Sequence, residues 1–260
     1  MEEVLIFEKV GKVGKITLNR PDKFNSFNRN MAMEFLEAIR DCESDDNIGA
    51  IYISGSGKAF CAGQDLKEAI DPDNGLTLER IVREHYNQMA LSVYNCPKPI
   101  VAAVNGVAAG AGANLALLCD IVVARESTSF IQAFSKIGLI PDTAGTYALP
   151  RLVGFQKALA LAMLGDKVGA KEAERIGMIY KYYPDDEFES ASFAIAEKLS
   201  KMPTKGLALT KKAFNKGLCD SFEEHLEVEA QLQAEAGESY DYNEGVQAFL
   251  EKRKPEFKGR

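Results

Sequence analysis

Histidine is almost missing from this sequence: 260 residues contain two, His85 and His225. Both lie in charged, helix-like surroundings, VREHYNQMA and SFEEHLEVEA, the setting of solvated surface histidines. So few make a multi-histidine metal site improbable and leave almost no candidate for a Ser-His-Asp triad. Paired cysteines are missing too. Cys42, Cys61, Cys96, Cys119 and Cys219 are odd in number, scattered and free of any C-x-x-C unit, which is the usage of a reducing compartment. No apolar run approaches the ~20 residues of a membrane span. The N-terminal MEEVLIFEKVGK lacks the basic-then-apolar pattern of a signal peptide. Positive charge is also short: the net charge of −7 argues against nucleic acid as a partner, yet allows a few lysines to grip a small phosphorylated ligand. Together these shortages predict a soluble, cytoplasmic protein that binds neither nucleic acid nor membrane.

What is present is ordinary for a folded protein. A hydrophobic fraction of 46% and a charged fraction of 27% rule out general disorder. The length suits one large domain, or a core with an appendage. VLIFEKVGKVGKITLNRP alternates as a hairpin with its turn near Gly11–Gly14, and Arg29 to Glu43 carries helical spacing. IGAIYISGSG and PIVAAVNG read as buried strands, with IVVARES and IYKYYP as two further strands. DPDNG at 71–75 is a polar break before the amphipathic LERIVREHYNQMALSVYNC, which Pro97 and Pro99 bring to an end. ALPRLVGFQKALALAML reads as helix, and from Asp185 the pattern is helical throughout. No self-similarity marks a sequence repeat. The division is an α/β core over residues 1–200 and a helical region over 201–260.

Two stretches combine a strand end, glycine and a following helix: AFCAGQDL at 59–66 and NGVAAGAGANLALLCD at 105–120. Unpaired N–H groups from two such turns can converge into an oxyanion hole without any side chain. The alternative is close packing of a helix on a strand through Gly and Ala. GAGAN is not a phosphate-binding Walker loop, since no Gly-Lys-Ser/Thr follows, and it does not complete the dinucleotide G-x-G-x-x-G. A third stretch, GLIPDTAGTYALPRLVG at 138–154, sets a lone carboxylate, Asp142, behind a proline and between two apolar runs. Asp142 or Thr143 could cap the helix that follows, or Asp142 could act on a substrate. Cys61 has no histidine partner and reads as a small packing residue.

Taken in order, ITLNRPDKFNSF, GKAFCAGQDLKE, PKPIVAAVNGVAAGAGANLALLCDIVVA and FIQAFSKIGLIPDTAGTYALPRLVG resemble the enoyl-CoA hydratase/isomerase (crotonase) superfamily over essentially the whole chain. The resemblance implies a crotonase-like spiral of ββα repeats and a helical C-terminal part that builds a homotrimer or a dimer of trimers. It implies acyl-CoA thioester substrates and no cofactor or metal, coenzyme A being part of the substrate. Matching motif positions place the two oxyanion N–H donors on Gln64 and Ala111, with both side chains incidental to that role. Ala62, Gly63, Asp65, Leu66 and Gly110 frame these donors as substrate-binding positions, although Asp65 by its local sequence caps the following helix. Lys23, Phe24 and Asn25 match the loop that meets the nucleotide end of CoA. Phe249 and Lys252 match positions that reach a neighbouring subunit's CoA.

The resemblance also locates a departure. Hydratases of the family carry two glutamates, and the matching positions here are Asn114 and Phe134, neither of which can act as a base. Adding water needs one group to activate it and one to manage the α-proton. Asp142 is then the remaining candidate base. An aspartate at this IPD position is shared with the subgroup resembling 1,2-epoxyphenylacetyl-CoA isomerase. Burial among Phe134, Ile137, Leu139 and Ile140 should raise its pKa. The expectation is an acyl-CoA isomerase, acting on epoxyphenylacetyl-CoA or shifting 3-enoyl-CoA to 2-enoyl-CoA. The alternatives are a 2-trans-enoyl-CoA hydratase and a catalytically idle or RNA-binding relative.

Overall fold

A computed structural model describes residues 3–70, 75 and 77–260. Most of the expected polar break, residues 71–74, lies outside the described residues. The chain opens with the hairpin β1 (Leu5–Val10) and β2 (Val13–Leu18), paired in register from Leu5↔Leu18 to Val10↔Val13. Gly11, at φ 60°, makes the tight turn that a side chain would strain. From β2 onward the sheet is parallel: β3 (Ala50–Gly55), β5 (Ile100–Val104), β7 (Ile121–Arg125) and β10 (Lys181–Tyr183) are added in that order.

A second sheet lies alongside, formed by β4 (Ala59–Cys61), β6 (Val107–Ala109), β8 (Ser129–Ile131) and the antiparallel β9 (Lys167–Gly169). The successive pairs β3–β4, β5–β6 and β7–β8 each give one strand to each sheet, and each pair is followed by helix or 3-10 turn. This is the expected α/β spiral of ββα turns. The repeat is geometric and leaves no repeat in the sequence. Each turn meets different neighbours, and a buried strand demands only apolar residues of fitting size.

β5, IVAAV, is buried along its whole length because the parallel sheet is covered on both faces. Ile100, Ala102 and Val104 join the main core, with Phe35 and Ile39 of α1 (Arg29–Ser44). Val101 and Ala103 face the other way, into a smaller cluster with Tyr52, Val123 and the Phe188 and Ala196 side chains of α9 (Phe188–Leu199). The two-residue period of a strand makes this division. α1 begins where the Asn28 side chain accepts from Met31 N–H, and it buries the expected Met31, Phe35, Leu36 and Ile39.

Three expectations need correction. The single helix expected across 148–164 is two, Gly145–Val153 and Phe155–Leu164, broken at Gly154 with φ 79°. The amphipathic stretch 78–95 is interrupted by a π turn, Val82–Tyr86, between helical segments Leu78–Ile81 and Asn87–Asn95. That turn carries His85 into the interior. It is buried, not solvated: its ring nitrogen lies 3.2 Å from Arg29 Nη1, and burial depresses its pKa. His225 is partly exposed, beside Asp220 and Glu229.

The C-terminal helices are α10 (Thr204–Gly217), α11 (Phe222–Gly237) and α12 (Tyr240–Glu251). α10 is tied to the core by Lys211, whose ammonium group donates to Val93 O and pairs with Asp120. Leu226, Val246, Phe249 and Leu250 are exposed on the protomer, as are Phe155, Leu159, Met163 and Leu164 of the preceding part. No helix among the described residues is long and apolar enough to cross a membrane.

Candidate active site

The two glycine-bearing turns lie against each other at the ends of β4 and β6. A Cβ added to Gly112 would fall 2.5 Å from Cys61 O, and one added to Gly63 would fall 3.0 Å from Ala109 O and 3.4 Å from Ala111 N. Small residues are therefore required for packing. The same closeness sets the Gly63 turn against the start of the helix at Ala111. Cys61 is buried, with its thiol pushed up to about 12 by desolvation, as a packing residue would be.

The direction of the Gln64 N–H follows from the loop 24–27, which runs beside 62–65. Ala62 N–H donates to Phe24 O, Phe27 N–H to Gly63 O, and Asp65 N–H to Phe27 O. A trans peptide sets its N–H opposite its C=O. With Gly63 O turned toward Phe27, Gln64 N–H points away from that partner. Ala111 is the first residue of α5 (Ala111–Leu117), where an N–H has no intrahelical acceptor. Gly110, at φ 54° and ψ −129°, makes the turn into it. Among the described residues neither amide has a protein acceptor.

The Gln64 side chain is more engaged than the sequence led one to expect. Its Oε1 accepts from the Tyr86 hydroxyl, and its Nε2 donates to Asp65 O at 3.2 Å. Asp65 caps α2 (Leu66–Ala69) through Lys67 N–H and is ion-paired with Arg20 at 2.8 Å. Arg20 also donates to Ser26 O, joining the two loops.

Asp142 is not a side-chain helix cap. The helix starts after Ala144, in left-handed conformation, with no capping side chain, and Asp142 contributes only its main-chain carbonyl, which accepts Gly145 N–H at 2.8 Å. Thr143 and Ala144 are consecutive non-glycine residues at φ 51° and 59°, a strained pair of the kind held in place at functional sites. The carboxylate accepts a hydrogen bond from Thr143 Oγ1 at 2.9 Å. Desolvation raises its pKa, as expected, but three of the four apolar residues expected to bury it are exposed. Phe134 is buried, whereas Ile137, Leu139 and Ile140 are exposed, Ile140 at 79%. The 3-10 turn Ala133–Ile137 ends at left-handed Gly138, and the chain beyond it runs along the protomer surface.

Asn114 holds this loop. Its Nδ2 donates to Asp142 O at 2.8 Å, and its Oδ1 accepts from Gln132 Nε2 at 2.8 Å. Asn114 is buried to 1% exposure, and Gly145 lies so close that a Cβ there would meet the carboxamide at 2.1 Å. A glutamate could not donate to the Asp142 carbonyl. Asn114 thus links the helix that begins with Ala111 to the loop that carries the carboxylate.

The remaining candidates fall in two places. Lys23 and Phe24 are exposed beside Ala62, with Leu66 also exposed, whereas the Asn25 side chain is fully buried and bonded to Arg20 N, Ser56 O and Ala59 O. Phe249, 82% exposed, and Lys252 sit on and just after α12, which packs on α11 in the protomer. Sequence reasoning missed Tyr86, Gln132 and the donor role of Asn114. Among the described residues no group of three or more His, Cys, Asp or Glu is placed to hold a metal.

The pattern of the enoyl-CoA hydratase/isomerase family matches residues 8–260. A probable enoyl-CoA hydratase of Rhodobacter capsulatus is 47% identical over 245 residues, covering 94% of each chain. The 1,2-epoxyphenylacetyl-CoA isomerase of Escherichia coli K12 is 43% identical over 266 residues, covering 100% of each. A crystal structure of a putative enoyl-CoA hydratase/isomerase from Mycobacterium abscessus superposes with a TM-score of 0.92 at 34% identity, covering 98% of this chain and 100% of that one. With the family pattern over nearly its whole length and relatives of this similarity, the chain belongs to the enoyl-CoA hydratase/isomerase family.

Proposed function

We propose that this protein is an acyl-CoA isomerase in which the Gln64 and Ala111 N–H groups hold the thioester oxygen and Asp142 moves the proton. The observation that carries the reading is the half-buried, desolvated Asp142 carboxyl on a loop that Asn114 ties to the helix beginning at Ala111. Asn114 and Phe134 stand where two glutamates would serve hydration, and Asn114 is committed to holding the Asp142 loop. Asp142 takes a proton from the carbon next to the thioester, and the charge moves onto the oxygen between the two amides. The same carboxyl returns the proton farther along. At C4 of a 3-enoyl-CoA this gives the 2-enoyl isomer; on the ring of epoxyphenylacetyl-CoA it belongs to the oxepin rearrangement. The similarity to the Escherichia coli isomerase supports the ring substrate. Lys23, Phe24 and the main chain at Asn25 would meet the nucleotide end of CoA.

The similarity to the probable hydratase of Rhodobacter capsulatus favours a second reading, water addition to 2-enoyl-CoA. A panel of 2-enoyl-CoA, 3-enoyl-CoA and epoxyphenylacetyl-CoA, with products read by mass and ultraviolet spectrum, separates the two. Isomerised product at unchanged mass is expected; dominant gain of one water on 2-enoyl-CoA would establish the hydratase.

The exposed apolar residues of α12 and of helix Phe155–Leu164 fit burial between copies of this chain, in a trimer or a dimer of trimers. Phe249 and Lys252 would then approach a neighbour's CoA. Sedimentation at micromolar concentration should show a trimer or hexamer, and a monomer there would remove that role from both residues.

A further inference from the structure

Resting on the oxyanion reading above, we infer that Tyr86 is a positioning residue of the oxyanion hole, acting through the Gln64 side chain on the direction of the Gln64 N–H. Gln64 is held from three sides. Its neighbours' main chain is bonded to Phe27, its carboxamide is engaged by the Tyr86 hydroxyl and the Asp65 carbonyl, and Asp65 is ion-paired with Arg20. Of these, Tyr86 alone reaches the Gln64 side chain from outside the paired segments 20–27 and 62–65.

Tyr86 is built to stay where it is. The π turn is closed by Asn87 N–H bonding to Val82 O, and it sets both His85 and Tyr86 on the buried side. Such turns often mark functional sites. The Tyr86 ring is 2% exposed and meets the Phe27 ring edge-on, with centroids 6.4 Å apart. Tyr86 thus braces the residue that pairs with the main chain around Gln64 and also grips the Gln64 side chain. Burial, and next the nearby Asp142 charge, push the phenol pKa well up, so the hydroxyl remains a donor throughout the working pH range.

The amide of Gln64 has no second anchor on its N–H side, because that side is kept for the substrate. Its aim therefore depends on the side chain and the flanking peptides. A free carboxamide would let the 63–65 peptides rock, weakening contact with the negative oxygen formed in the reaction more than contact with the neutral thioester.

The test uses Tyr86→Phe, Gln64→Leu and the double variant, each assayed on the isomerised substrate and with a 2-enoyl-CoA bound for infrared measurement of the thioester carbonyl. Wild type should lower the carbonyl frequency relative to free thioester. Tyr86→Phe should lose part of that shift and lower kcat by about 10- to 10²-fold, the scale of an ångström-level misplacement, with KM changed less than about two-fold. Gln64→Leu, which keeps the donor N–H and the bulk, should behave the same way. The double variant should be no worse than Gln64→Leu, because Gln64→Leu already removes the Tyr86 bond together with the Asp65 contact. Wild-type kcat and carbonyl frequency in Tyr86→Phe, or single losses that multiply in the double variant, would overturn the inference while leaving the oxyanion hole intact. No carbonyl shift in the wild type itself would overturn the oxyanion reading and this inference with it.

Discussion

Replacing Ala111 by proline is expected to abolish turnover, at a cost of about 10²–10³ from loss of one oxyanion donor. Ala111 is the first residue of its helix, a position where a missing N–H breaks no intrahelical bond and the fixed φ of proline is accommodated. The preceding residue must be extended. Gly110 has φ 54° and ψ −129°, the mirror image of an extended conformation, which a residue without Cβ can hold beside a proline ring. The variant should therefore fold. Its ring carbon would stand where the N–H now points, so thioester affinity should fall together with the rate. Thermal melting close to wild type with activity lost is the expected pair of measurements. Near-normal turnover in a folded variant would move the donor to another residue.

Asp142→Asn should lower turnover by roughly 10²-fold or more, the usual contribution of a general base. The amide keeps an oxygen for the Thr143 hydroxyl, and the Asp142 main-chain bonds to Asn114 and Gly145 do not depend on the carboxyl. Folding should accordingly survive. The direction of the pKa shift gives a second, independent signature. Desolvation raises the Asp142 pKa above its ordinary value of 3.8, so the native state binds this proton more tightly than the unfolded chain. Between those two values this group's contribution to stability grows as pH falls, and above them its buried charge lowers stability. The asparagine variant should then melt at or above the wild type at neutral pH. That gap should narrow as acidification protonates the wild-type carboxyl. Wild-type activity should decline over the same approach to the raised pKa, as the base is protonated. Melting curves at several pH values and a rate profile check both. Wild-type turnover in Asp142→Asn would require another base.

The four sequence blocks were legible because close main-chain packing dictates their small residues. Bringing the two turns into contact requires glycine or alanine at set places, and residues 62–63 and 110–112 supply them. Asp142 was legible as a charge out of place. Its surroundings were not. Ile137, Leu139 and Ile140 are apolar, and an apolar residue reads alike in a core and on an exposed face. Asn114 could be read only as a lost carboxylate, since its function as a donor to Asp142 O joins residues 28 positions apart. Tyr86 was hidden in an amphipathic stripe, and nothing local to VREHY announces a π turn. His85 was misjudged for the same reason: charged neighbours in sequence do not fix which side of a helix faces water.

The pairing of β2 with β3 joins Val13 to Ala50, and the site itself gathers residues from Arg20 to Gly145. Every one of these contacts spans a long loop whose closure must precede any reward from packing. Local helices such as Arg29–Ser44 can form early, but the Gly63 and Ala111 turns cannot meet until the spiral has wound past β6, and the Asp142 loop cannot dock until Asn114 is in place. Catalytic competence is thus a property of the finished topology alone, and a partly wound chain would be compact, largely helical and inert.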